Sequence, residues 1–340
     1  MRKWNPAIVC HLLTAGLVLD ALNGLAVGAS GKILSVTSDA TADFYGDFNR
    51  AFADYWQRKT GAAVQVDQSA GGSGEQADAV ANGLEADVVT LDEPREIDQL
   101  HTVGHWVAGN WASRLPNHSV PYRSTIVFLV RQGNPKHLQN WDDLVRSGVS
   151  LVVPNPKTSE VGKYSYLAAW GYASRRPGAD KSAAVRFVGD LFAHAPVLDP
   201  NARGAATTFA ERGIGDALLV LESDAARLQR DFPAAGFEIE VPAESILAED
   251  VVAWVDRNVE RHHTENLARA YLQFLYSPAG QELAAKDFLR PENKAVLAKY
   301  AGQFKPIALF TVQDVAGGWE KAQQDHFSDG GIFDQIRQRN

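Results

Sequence analysis

Ser73 lies between Gly72 and Gly74 in the stretch QSAGGSGEQ (68–76), directly ahead of a helical pattern. Glycines at such a turn let backbone N–H groups come close to an anion, and a helix start adds a positive field. Hydroxyls and backbone N–H groups are donors, so the chemistry these residues suit is capture of an anion rather than bond breaking. The glycine stretch lacks the GK[ST] ending of a nucleotide-binding loop, and GGSG is not the G-x-S-x-G elbow of a serine nucleophile. His262, His263 and Glu265 have metal-like spacing but stand in a charged stretch that reads as a solvated turn. Asp92 and Glu93 could suggest acid/base work, yet neighbours on a strand face opposite ways. No enzyme, metal or cofactor is expected.

These residues need elements to hold them. KILSVTSDA (32–40) reads as a strand running into Ser38 and Asp39 as helix caps. The following ADFYGDFNRAFADYWQRKTG places Phe44, Phe48, Phe52, Tyr55 and Trp56 at helical spacing, a core stripe with Gly61 as its stop. VQVDQS and ADVVTL (86–91) are further strands, the second ending at Asp92. Strands alternating with helices predict an α/β fold with mainly parallel sheets. No flexible tether divides the chain, so two lobes are expected to be joined through the apolar strand regions STIVFLVR (124–131) and EIEVPAESILAEDVVAWVD (238–256). The expected lobes are 30–122 with 246–340, and 123–245. Ligands in such sheets sit beyond the carboxyl ends of strands, which brings segments 38–41, 69–75, 92–94 and 157–162 to one cleft.

Composition narrows the partners. With 340 residues, 45% hydrophobic and 22% charged, the chain can bury two cores. A net charge of −8 without any basic run argues against nucleic acid and against an anionic membrane surface. Arg2 and Lys3 precede an apolar stretch, and Val27 and Ala29 are small residues that predict a signal peptide over 1–29, cleaved after Ala29. The single cysteine, Cys10, lies in that leader. Export without disulfides fits a bacterial periplasm.

The blocks DQSAGGSGEQ, NGLEADVVTL, PYRSTIVFLVRQGNPK, PNPKTS, YLAAWGYA, RGIGDALL, PAESILAE and GGWEKAQQDHFSDGGIFDQI resemble the periplasmic sulfate- and thiosulfate-binding proteins that feed ABC importers. The resemblance runs from about residue 32 to the C-terminus. It implies a two-lobed type II periplasmic binding protein, monomeric, that catalyses nothing, closes on one oxyanion and presents it to a membrane permease. A fully ionised sulfate wants donors only. The resemblance assigns these to the Asp39 N–H, the Ser73 hydroxyl and N–H, the Ser159 hydroxyl, and the N–H groups of Glu160, Val161 and Ala202.

Several positions depart from the family. Glu160 and Val161 stand where it has two glycines, and Leu221 where it has a tryptophan donor. Lys163 replaces an arginine, and Asp92 and Glu93 replace small apolar residues. Glu75 replaces a basic residue and is read as a first-turn helix stabiliser. If Asp92 and Glu160 face the cleft, they add acceptors that suit a protonated oxyanion, or an organic sulfur or phosphorus compound, better than sulfate.

Overall fold

The computed structural model describes residues 31–338, so the expected signal peptide falls outside the described residues. Twelve strands form two sheets. They are β1 (Gly31–Ser38), β2 (Val64–Gly71), β3 (Val88–Leu91), β4 (Tyr122–Val130), β5 (Leu151–Pro154), β6 (Val197–Asp199), β7 (Ala217–Leu221), β8 (Glu238–Glu240), β9 (Glu244–Glu249), β10 (Val251–Trp254), β11 (Arg290–Pro291) and β12 (Ala308–Phe310).

The first sheet has the order β10-β3-β1-β2, with β1, β2 and β3 parallel and β10 antiparallel. The second runs β12-β9-β4-β7-β5-β6, with β5, β6 and β7 parallel. The chain passes from the first lobe to the second at the start of β4. Arg123–Thr125 of β4 pair with β9, and Ile126–Val130 pair with β7. It returns at Asp250, between β9 in the second sheet and β10 in the first. The return lies within the apolar strand region 238–256, and the first passage lies at Tyr122–Arg123, just ahead of the region 124–131.

In the first lobe, the helix Ala42–Thr60 turns its aromatic stripe inward because 3.6 residues per turn bring Phe44, Phe48 and Phe52 onto one face. Tyr271 meets Phe48 and Phe52 edge-on, each at 5.1 Å between ring centres. Gly61 ends the helix at φ 74°. The helix begins later than Ser38 and Asp39 would set it: Thr41 occupies the N-cap, while the Ser38 hydroxyl lies 3.3 Å from the Thr41 hydroxyl. Asp39 is thereby left free to face the cleft.

The second lobe's core is larger. It gathers the helix Glu160–Ser174, buried on nearly every residue of its length, with the helix Lys181–Ala193. The C-terminal segment differs from expectation. Phe310, Phe327, Ile332, Phe333 and Ile336 pack into this second core, although 246–340 is assigned to the first lobe on sequence. Its aromatic residues have a partner there: Tyr166 meets Phe327 and Phe333 edge-on. The chain therefore crosses a third time, ahead of β12.

Candidate functional site

A cavity of about 290 Å³ lies between the lobes, lined by Asp39, Gly72, Glu75, Asp92, Thr158, Ser159, Glu160, Val161, Pro200, Asn201 and Ala202. Every one of these residues follows the carboxyl end of a strand: β1, β2 and β3 in one sheet, β5 and β6 in the other. Three helices start there, Ser73–Ala81, Glu160–Ser174 and Ala202–Ala210. The first N–H groups of each have no partner within the helix, so three positive helix ends converge on one small space.

On the second lobe the caps are complete. The Ser159 hydroxyl accepts from Gly162 N at 3.3 Å, and Asn201 Oδ1 accepts from Gly204 N at 2.8 Å. A Cβ on Gly162 would sit 2.6 Å from the Pro154 carbonyl oxygen, so the glycine is what seats this helix against the end of β5. Thr158 Oγ1 donates to the Pro200 carbonyl at 2.7 Å and ties the two loops together. Glu160 and Val161 occupy regular helical positions, absent from the residues with positive φ, so the backbone here does not require the two glycines. Sequence reasoning missed Asn201 and Pro200; an asparagine ahead of a helix is itself a cap signal that could have found Asn201.

The first-lobe wall departs from expectation at several residues. The Asp39 N–H donates to the Gly71 carbonyl at 2.8 Å, extending the β1–β2 ladder, so it is not a free donor. Ser73 is fully buried and does not line the cavity. Its hydroxyl donates to Glu96 Oε2 at 2.6 Å and accepts from Asp92 N at 2.8 Å. Leu221 ends β7 inside the second core, without any donor to offer. Lys163 also stands away from the cavity: its Nζ lies 2.7 Å from Glu93 Oε1, and both side chains are buried. Glu93 and Asp92 thus face different ways, as neighbours at a strand end do.

Glu96, which sequence reasoning did not single out, completes an acidic wall. A Cβ on Gly74 would lie 3.5 Å from Glu96 Oε1 and 3.9 Å from Glu160 Oε1, so both carboxyls converge on this helix start. Burial, then the charge of Glu93, push the Glu96 carboxyl up to about 8. Burial likewise raises Asp92, with Asp250, Glu160 and Glu96 adding repulsion. Burial raises Glu160 and Asp39 too, offset in part by Lys163 and Arg203 respectively. Asp250, at the crossing behind the cavity, is lifted by burial to about 7. Among the described residues no group of three His, Cys, Asp or Glu could hold a metal ion, and His262 is engaged with Asp87 at 3.0 Å.

Two α/β lobes with a cavity at their strand ends, lined by helix starts, are the architecture of a solute-binding protein. Residues 36–290 match the bacterial extracellular solute-binding proteins, and the chain belongs to that family. It is similar to the sulfate-binding protein of Salmonella typhimurium, 46% identical over the whole of both chains. The thiosulfate-binding protein of Pseudomonas aeruginosa is 46% identical across 97% of this chain and 98% of the relative. Among solved structures, the sulfate-binding protein SubI of Mycobacterium tuberculosis is 29% identical, with a TM-score of 0.76 over 86% of this chain and 98% of that one. The periplasmic molybdate-binding protein of Azotobacter vinelandii, 15% identical at a TM-score of 0.54 over 76% of this chain and 98% of that one, shares the fold alone.

Proposed function

We propose that this chain is the periplasmic receptor of an ABC importer, binding one tetrahedral oxyanion, sulfate or thiosulfate, between its lobes and catalysing no reaction. The observation that carries the reading is the convergence of three helix N-termini on a cavity of about 290 Å³. Helix ends supply dipole and N–H groups together, so the anion needs no paired cation. The donors assigned are the N–H groups of Glu160, Val161 and Ala202 and the hydroxyl of Ser159, whose oxygen accepts from Gly162 while its proton remains free to donate. Closure would bring the two walls together around the ligand, and the closed form would be presented to the membrane permease. The names of the relatives support sulfate and thiosulfate as ligands.

A second reading is favoured by the carboxyls of Asp92 and Glu160 in the cavity wall. An oxyanion or organic sulfur or phosphorus compound that carries its own O–H would use those acceptors.

Titration calorimetry of the ligand-stripped mature chain with sulfate tests the first reading. A sharper probe is Ala202→Pro. Ala202 is the first residue of its helix, where proline is accommodated, and Asn201 before it is extended at φ −151° and ψ 173°. The substitution removes one N–H and little else. Loss of one hydrogen bond to a charged group corresponds to roughly a ten- to hundredfold weaker Kd; an unchanged Kd would take Ala202 out of the site.

A further inference from the structure

Asp92 is the cavity residue that a donor-only site leaves without a role. Its side chain is 6% exposed, lines the cavity, and has one oxygen, Oδ1, without any hydrogen-bond partner. The groups around it offer almost nothing to balance a negative charge. Ser38 on β1 turns its hydroxyl toward the carboxyl, while Asp250 at the crossing, Glu160 on the second-lobe helix and Glu96 on the helix Pro94–Gly104 face it as carboxyls. Tyr164 gives its hydroxyl proton to the Asp92 backbone carbonyl at 3.2 Å, not to the side chain. Lys163, the cation near Glu96 and Glu160, is held by Glu93. Arg203 faces Asp39 instead.

A dianion entering this cavity meets Asp92 either as a like charge or as a neutral acid. A proton on the carboxyl converts it from an acceptor into an O–H donor, the one kind of group sulfate can use. Resting on the oxyanion reading of the cavity, we propose that the receptor takes up a proton with its dianion and holds it on Asp92, so that binding tightens as pH falls. The proton comes from solvent when the ligand has none. Burial already lifts the Asp92 carboxyl, and a bound dianion can only lift it further.

Calorimetry with sulfate between pH 5.5 and 8.5, in pairs of buffers with different ionisation heats, counts the protons. The expected result is uptake approaching one proton per sulfate at the upper end, with Kd weakening there by up to about tenfold per pH unit. Asp92→Asn, whose amide donates without a proton, should abolish most of the uptake, flatten the pH dependence and bind sulfate more tightly than the native chain at pH 8. Hydrogen phosphate at pH 8 brings its own proton and should bind with at least half a proton less uptake than sulfate. Sulfate binding without proton uptake overturns the proposal and leaves the receptor reading standing; no sulfate binding at any pH overturns the proposal, and with thiosulfate also unbound it overturns the receptor reading too. Full uptake retained by the asparagine variant, or equal uptake with the two anions, places the proton elsewhere and overturns the assignment to Asp92. If that variant does not fold, as judged by its melting curve, the native proton count and the phosphate comparison decide.

Discussion

The two walls of the cavity are made of the same parts and carry opposite chemistry. The second-lobe wall consists of two helix starts with their caps satisfied by Ser159 and Asn201. The first-lobe wall has one helix start, at Gly72 and Ser73, surrounded by Asp39, Asp92 and Glu96. Donor geometry belongs to the backbone, and it is present with Glu160 and Val161 at the helix start, because first-turn N–H groups remain unpaired whatever the side chain. Charge belongs to side chains, and a single substitution changes it. An anion site can therefore keep its donors while its tolerance for charge shifts.

The strongest way to break this contrast is to unsettle the ion pair that joins the acidic wall to the other lobe, Glu93 with Lys163. Glu93 is fully buried, 2.7 Å from Lys163 across the cleft and 3.4 Å from Arg95 on its own lobe. Lys163→Met leaves the carboxylate with Arg95 alone. Removing one partner of a buried pair costs about 3–5 kcal/mol. On the receptor reading the lobes separate without ligand and water reaches Glu93, so the penalty falls on the closed form. Sulfate affinity should drop a hundredfold or more, while the melting point of the ligand-free protein falls far less. Adding Glu93→Leu should restore most of the affinity. A double variant as weak as the single one would show that Lys163 acts on the ligand directly.

Much of the fold is legible from residue pattern. The aromatic stripe from Phe44 to Phe52 has one helical face, and strand ends at Ser38 and Leu91 are followed by polar residues that line the cleft. What pattern cannot carry is where a hydrogen is directed. Ser73 looks like a ligand hydroxyl in GGSG, yet it bonds Glu96, a residue 23 positions away on another helix. Glu96 is hidden in sequence because a glutamate in a helix's first turn ordinarily has a local reason to be there. The third crossing was missed for a similar reason. The apolar residues from β12 onward fit either core, and the choice between them is made by Tyr166 and its neighbours in the second lobe.

The acidic wall should also show in stability without ligand. The Glu96 carboxyl moves from 4.5 up to about 8, and that of Asp250 from 3.8 up to about 7. Between those limits the native chain holds protons that the unfolded chain has released, so the folded state loses ground as pH rises. Each such group contributes about 1.4 kcal/mol per pH unit at most. The melting temperature of the stripped protein is expected to fall steadily from pH 5.5 to 8, and Glu96→Gln should flatten part of that slope. A melting temperature that rises over the same range would mean that these carboxyls are ionised when folded, and that the acidic wall is hydrated.

The smallest effect separates charge from donor geometry most cleanly. Glu75 lines the cavity yet stays exposed, in the first turn of the helix that starts at Ser73. Its charge favours the helix end by about 0.3–1 kcal/mol and disfavours an anion at the same end. Glu75→Gln should lower stability by a few tenths of a kcal/mol and tighten sulfate binding by roughly two- to threefold at low ionic strength. The gain should vanish near 0.5 M sodium chloride, where the screening length is only about 4 Å. Ala202→Pro, which removes a short-range donor, should keep its full effect at either salt concentration. Equal salt sensitivity in the two variants would contradict the division of the cavity into a donating wall and a charged one.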